Sequence, residues 1–256
     1  MRTSRVRAKL AANQPALCTK MNTGDPMIAD MIGLTGFDCI WLCQEHGPYD
    51  WDRLGHLIRA ASVHNVDTMV RVAKGSYSDW VRPLELGASG LMVPHCMNAD
   101  EARYIAKNTR FHPIGRRPID GGNYDGEYCL IPVTDYIRRA NEETFLAVQI
   151  EDPEALDHIE EICSVPGVDI VYVGPGDLAH ALGVPGNITH PTIVNAIERV
   201  AAGCKANGKH WGTPMSPATA PRFMELGARF LTSGADVIGL GQYFTSLRAE
   251  YRKLGV

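Results

Sequence analysis

Long apolar runs are missing from this chain: nothing approaches the roughly 18 consecutive apolar residues of a membrane-spanning helix, so no membrane segment is expected. A Cys-x-x-Cys pair is missing too. The seven cysteines are odd in number and scattered, which excludes a disulfide scaffold or a zinc ribbon and suits reduced, mostly buried thiols. Charge of one sign is not in large excess. With a net charge of −4 and no basic stripe interleaved with aromatics, the chain is not expected to bind nucleic acid. The basic start Met1-Arg-Thr-Ser-Arg-Val-Arg lacks the apolar segment of a secretory signal, and a cytoplasmic location is expected. Neither Gly-x-Gly-x-x-Gly after the first apolar run nor Gly-x-x-x-x-Gly-Lys-Ser/Thr occurs, which removes the usual nucleotide-phosphate loops.

What is present is the pattern of a repeated βα unit. Short apolar runs rich in β-branched or small residues alternate with longer segments of helical period. Eight candidate strands follow one another: Ala16 to Met21, Cys39 to Gln44, Asp67 to Val72, Gly90 to His95, Leu146 to Glu151, Asp169 to Pro175, His210 to Met215 and Phe230 to Ala235. Helices are expected between them, among them Asp25 to Thr35, Trp51 to His64, Ser78 to Gly87, Asp100 to Lys107, Pro153 to Ser164, His190 to Asn207 and Pro217 to Gly227. Several stop at Gly in Leu-Gly-Ala or Thr-Gly-Phe, a left-handed C-cap that turns the chain into the next strand. At 256 residues the chain matches a single (β/α)8 TIM barrel domain, 1–256. A long loop insertion is expected at about 109–143, rich in Pro and Gly, of the kind that serves as a lid or an oligomer contact. A C-terminal helix is expected at about 238–253.

Two acids stand where strands give way to loops: Glu151 in Ala147-Val-Gln-Ile-Glu151-Asp-Pro and Asp177 in Val171-Tyr-Val-Gly-Pro-Gly-Asp177. In a parallel barrel the carboxyl ends of all strands open on one mouth, so the two can converge on a divalent cation. Alternation places Ala147, Gln149 and Glu151 on one face of their strand, expected to face the barrel interior. The turn Gly174-Pro-Gly-Asp177 offers backbone N–H groups to an anion. Paired carboxylates suit a hard ion such as Mg²⁺ or Mn²⁺, although each acid could equally cap a local element.

These segments, in order, resemble the HpcH/HpaI class II aldolases. The likeness rests on Val148-Gln-Ile-Glu151 with Gly167-Val-Asp-Ile-Val-Tyr-Val-Gly-Pro-Gly-Asp177, and on Gly36-Phe-Asp with Glu45-His46-Gly-Pro. It extends to Val70-Arg71-Val, Leu91-Met-Val-Pro with Asn98-Ala-Asp-Glu-Ala-Arg103, Arg110-x-x-Pro113-x-Gly115-x-Arg117, and Glu225-Leu-Gly-Ala-Arg-Phe. The resemblance implies a phosphoenolpyruvate/pyruvate-type barrel and a lyase that cleaves or forms 4-hydroxy-2-oxo acids through a pyruvate enolate. By the same resemblance Glu151 and Asp177 bind a divalent metal cation (Mg, Mn or Co), which the 2-oxo acid chelates. Arg71 would stabilise the enolate oxygen, His46 would be the general base and acid with Glu45 beside it, and Gln149, Gly176 and Asp177 would bind the substrate. The implied partners are pyruvate or another 2-oxo acid plus an aldehyde. The implied assembly is a homo-oligomer, a hexamer built from dimers that exchange the C-terminal helix around Tyr243 to Lys253.

The chain departs from the family pattern near the chemistry. An Asp usually stands three residues before the histidine, forming a dyad with it, where this chain has Cys43, and a thiol cannot do a carboxylate's electrostatic work. Glu45 or a water network would then support His46, or the chain is a diverged member acting on another 2-oxo acid, or a non-catalytic metabolite-binding barrel. Lys20 replaces a common aromatic, either to contact an acidic substrate group or to snorkel to solvent. His95 stands where Met is frequent, as an extra acid or base or as a hydrogen-bonded structural residue. A Schiff-base aldolase would need Lys20 or Lys74 as its amine.

Overall fold

The computed structural model describes residues 2–256. Eight parallel strands close into a barrel in sequence order: β1 (Ala16–Met21), β2 (Cys39–Cys43), β3 (Asp67–Arg71), β4 (Gly90–Val93), β5 (Phe145–Ile150), β6 (Ile170–Val173), β7 (His210–Pro214) and β8 (Phe230–Ala235). The expected strands are all found, several of them ending a residue or two earlier than expected. Around them run α1 (Arg5–Ala11), α2 (Pro26–Leu34), α3 (Trp51–Val63), α4 (Tyr77–Glu85), α5 (Ala99–Thr109), α6 (Val133–Glu143), α7 (Ile159–Ser164), α8 (Pro175–Ala181), α9 (Pro191–Ala206), α10 (Ala220–Glu225) and α11 (Asp236–Lys253). Between α5 and α6 the chain makes a 3-10 turn at Glu127–Cys129. No helix among the described residues is long and apolar enough to cross a membrane.

Local chemistry sets the helix boundaries. The side chains of Asp25, Asp50 and Asn98 accept from the backbone N–H of Met27, Arg53 and Glu101, so α2, α3 and α5 begin with N-caps. Ser76 and Asp79 form a reciprocal capping box on α4. At the other end of α4, Gly87 has φ +102, a conformation that any side chain would strain, and it turns the chain into β4.

Strand alternation sorts the core into two layers. Leu146, Val148 and Ile150 of β5 pack outward under the helices with Val70, Leu91, Val171 and Val173. Ala147 faces the barrel interior with Cys18, Cys39, Trp41, Cys43, Met69, Met92 and Tyr172, and Gln149 and Glu151 continue that face toward the mouth. The opposite end is closed by α1, whose Val6 and Leu10 join Ala16 and Phe230 in the interior cluster. Three aspartates at the bases of β2, β3 and β6 hold this plug. Asp67 accepts from the Val6 N–H (2.8 Å) and the Ser4 hydroxyl (2.6 Å), Asp38 pairs with Arg5 and Lys9, and Asp169 pairs with Arg7. The face bearing the chemistry is therefore the one at the carboxyl ends of the strands.

Candidate active site at the barrel mouth

Glu151, directly after β5, is 1% exposed and continues the interior face of that strand toward the mouth. Its Oε1 accepts the backbone N–H of His95 (3.0 Å), and its Oε2 accepts the Gln149 amide. Burial pushes its pKa up to about 7, a rise opposed by His95 and Arg71 and reinforced by the charge of Asp177. The two acids thus sense each other across the mouth, although Asp177, the third residue of α8, is exposed where Glu151 is buried. Gly174 has no room for a side chain. A Cβ there would lie 2.5 Å from Glu151 Oε2 and 2.6 Å from Gln149 Nε2, so the backbone before α8 is packed directly on the acid. Gln149 Oε1 is buried without a hydrogen-bond partner. Glu151, Asp177 and this carbonyl oxygen are the donors that could hold a hard cation. Among the described residues no three or more His, Cys, Asp and Glu side chains gather as a ready-made metal cage.

Arg71 ends β3 almost fully buried beside the acids. Its Nε and Nη2 donate to Cys43 Sγ at 3.4 and 3.2 Å, and Nε also lies 3.0 Å from Glu45 Oε2. Because those N–H groups point at sulfur, Glu45 Oε2 is paired by charge while making no hydrogen bond. Burial works against the guanidinium charge, but Cys43, Glu45 and Glu151 outweigh it and raise the Arg71 pKa. Cys43 is therefore a support for Arg71.

Glu45 connects the remaining groups. Its Oε2 lies 3.6 Å from His46 Nε2 and its Oε1 3.7 Å from His95 Nε2. Of the supports open to His46 in the sequence, Glu45 is the carboxylate the fold puts beside it; the imidazole itself is 62% exposed on the rim. His95 lies deeper. Its Nδ1 is 2.9 Å from Asp152 Oδ2, and its φ of +54 is a left-handed conformation that a non-glycine residue adopts only under constraint from its neighbours. Burial lowers the His95 pKa, but the hydrogen bond to Asp152 and the charges of Glu151, Asp152 and Glu45 outweigh it and raise the value. Lys74 donates to the His95 carbonyl (2.7 Å) and pairs with Glu101 (2.7 Å), so it is not the desolvated free amine a Schiff base needs.

Two contributors escaped the sequence. Trp41 lies under both Lys20 Nζ (5.4 Å) and Arg71 Cζ (5.1 Å), and Asp152 orients His95. Alternation with Cys43 placed Trp41 on the interior face, which was the available signal. Asp152 had only its position beside Glu151.

A closed (β/α)8 barrel with a buried carboxylate, a guanidinium and imidazoles gathered at the carboxyl ends of its strands is built as an enzyme for small anionic substrates. A family model for HpcH/HpaI aldolase/citrate lyase matches residues 21–240, and the chain belongs to that family. It is 34% identical over 245 residues to the hydroxypyruvate/pyruvate aldolase of Cupriavidus necator, covering 95% of this chain and 91% of that one. The 5-keto-4-deoxy-D-glucarate aldolase of Klebsiella pneumoniae is 33% identical over 236 residues, covering 91% of each. Among solved structures, an HpcH/HpaI aldolase from Desulfitobacterium hafniense superposes with a TM-score of 0.90 at 27% identity and 96% coverage of both chains.

Proposed function

We propose that this protein is a divalent-metal-dependent aldolase that cleaves or forms 4-hydroxy-2-oxo acids through the enolate of pyruvate or a closely related 2-oxo acid, with an aldehyde as second partner. The observation that carries this reading is the buried Glu151 carboxylate within the influence of the Arg71 charge, with Asp177 close enough to raise its pKa. Glu151 and Asp177 would hold Mg²⁺, Mn²⁺ or Co²⁺. The residues fit such an ion: the donors are oxygens, burial raises the pKa of the Glu151 carboxylate, and Gln149 Oε1 lacks a partner. Bound there, the cation would act as a Lewis acid toward a 2-oxo acid.

The chain's own residues account for the rest. In retro-aldol cleavage the 4-hydroxyl loses its proton, the C3–C4 bond breaks, the aldehyde leaves, and the electron pair passes to the 2-oxo oxygen. Arg71, fixed by Cys43 and Glu45, presents positive charge where that oxyanion develops, in a buried setting that strengthens the interaction. His46 on the rim, backed by Glu45, exchanges protons with solvent and with the reacting carbon or hydroxyl. The N–H groups of Gly176 and Asp177 at the start of α8, with Gln149, would bind the substrate carboxylate. A cytoplasmic location suits the free cysteines. Exposed Val237, Ile238, Leu240, Tyr243, Phe244 and Leu247 along α11 favour a homo-oligomer, a hexamer by the family pattern.

The test is NMR of pyruvate methyl protons in D₂O with each metal. Wild type should exchange only with metal, and Glu151→Gln and His46→Ala should lose exchange. Exchange that persists in Glu151→Gln would refute the metal assignment, and no exchange in wild type would refute the aldolase reading.

A further inference from the structure

We propose that Lys20 is a specificity-determining residue that binds a second carboxylate on the substrate, carried beyond its 2-oxo acid end. The inference deepens the reading of the mouth as a 2-oxo acid site and rests on it.

Lys20 lies on the interior face of β1, two residues beyond the buried Cys18, and its Cα pairs with Trp41 on one side and Ala235 on the other. A lysine with no role in the mouth would extend its ammonium to bulk solvent. Instead, Lys20 is half-buried, and its Nζ stands 5.4 Å from the Trp41 ring centroid, the ring that also carries Arg71 at 5.1 Å. The two cations are thus within about 10.5 Å of each other on one aromatic platform inside the mouth.

Asp177 stands exposed at the start of α8 and makes no contact with Lys20, and the other acids near the mouth have partners of their own. Glu45 pairs with Arg71, Asp152 holds His95, and Glu151 is bound by the His95 N–H and Gln149. Asp236, next in sequence to Ala235, accepts from the N–H groups of Asn22 (2.8 Å) and Thr23 (2.9 Å) and from the Thr23 hydroxyl (2.6 Å). Among the described residues the Lys20 ammonium makes no hydrogen bond and no ion pair. A half-buried ammonium resting on an aromatic face lacks a counter-ion there, and an anionic ligand supplies one. One ammonium is a point charge sufficient to pair with a single carboxylate. With Arg71 and the acid pair taking the 2-oxo acid end, the group reaching Lys20 belongs to the aldehyde half.

Titration calorimetry of the Mn²⁺-loaded protein with 2-oxoglutarate and 2-oxopentanoate, equal in length and differing in the distal carboxylate, tests this without turnover. Wild type should bind 2-oxoglutarate about ten-fold more tightly, Lys20→Met and Lys20→Gln should erase the preference, and Lys20→Arg should keep it. A preference for carboxylated over neutral aldehydes in kcat/KM should follow the same order. Equal affinities in wild type, no measurable binding of either acid, or a preference that survives Lys20→Met would overturn the assignment. Pyruvate proton exchange reports separately on the aldolase reading, so the two can fail independently.

Discussion

Replacing Arg71 with lysine separates charge from geometry at the centre of the mouth. Arg71 uses a planar fork: Nε and Nη2 grip the Cys43 sulfur while the guanidinium lies beside Glu45 and over Trp41. Lysine keeps the charge and the aromatic contact, but one ammonium cannot hold Cys43 and Glu45 and still direct a donor at a developing oxyanion. Loss of a pre-aligned oxyanion donor costs about 3–4 kcal/mol in the transition state, so metal-dependent pyruvate exchange should fall about 10²- to 10³-fold in kcat. The cost to the fold is smaller, because Glu45 is only partly buried and retains a cation nearby. At about 1 kcal/mol the melting temperature should drop by only about 2–4 °C for a chain of this size. Exchange is read by NMR in D₂O, metal affinity by calorimetry and melting by circular dichroism. An exchange rate within about five-fold of wild type would contradict an oxyanion role, being far less than that donor is worth. A fall matched by an equal loss of metal affinity would show that Arg71 merely holds the acids in place.

Other perturbations test the surroundings. Gly174→Ala puts a methyl group 2.5 Å from Glu151 Oε2; the backbone there is compatible with alanine, so the expected cost of about 1–3 kcal/mol is steric, and Mn²⁺ affinity measured by calorimetry should drop at least about ten-fold. Phe244→Asp with Leu247→Asp on the exposed face of α11 should shift the assembly to smaller species by light scattering while leaving the barrel's circular dichroism intact. Burial lowers the His210 pKa, aided by Arg7 and Arg229 and opposed by Asp169. The unfolded chain therefore takes up that proton first, and stability is lost as pH falls from about 6.5 toward the lower native value. His210→Gln should flatten this part of the profile in urea unfolding, and an unchanged slope would refute the assignment.

The strands were legible because apolar runs punctuated by Gly and Asp are what a parallel barrel demands, and the alternation of Ala147, Gln149 and Glu151 put the acid inside. The direction of individual side chains was not. Cys43 occupies a position read as a missing partner for His46, yet its sulfur serves Arg71, because the interior face of β2 looks toward the end of β3. His95 read as one polar departure among others. Its left-handed backbone, which brings its N–H to Glu151 and its ring to Asp152, leaves no trace in periodicity. Helix α1 was not among the expected helices: only Val6 and Leu10 of its seven residues are buried, too few to show a helical period, although Ser4 is a proper N-cap.

That short plug has a consequence for how the chain is made. It precedes every strand of the barrel, but one of its three anchors, Asp169, is synthesised well after the other two and its neighbour Phe230 later still. A seven-residue helix cannot persist alone, so the floor of the barrel waits until nearly all of its walls exist. Nascent chains stalled before Asp169 should stay open to trypsin at Arg5 and Arg7, whereas released protein should resist cleavage there. The residues of α1 are thus made before the barrel yet find their full set of partners only after β6 and β8 exist, which makes closure of the floor a late event.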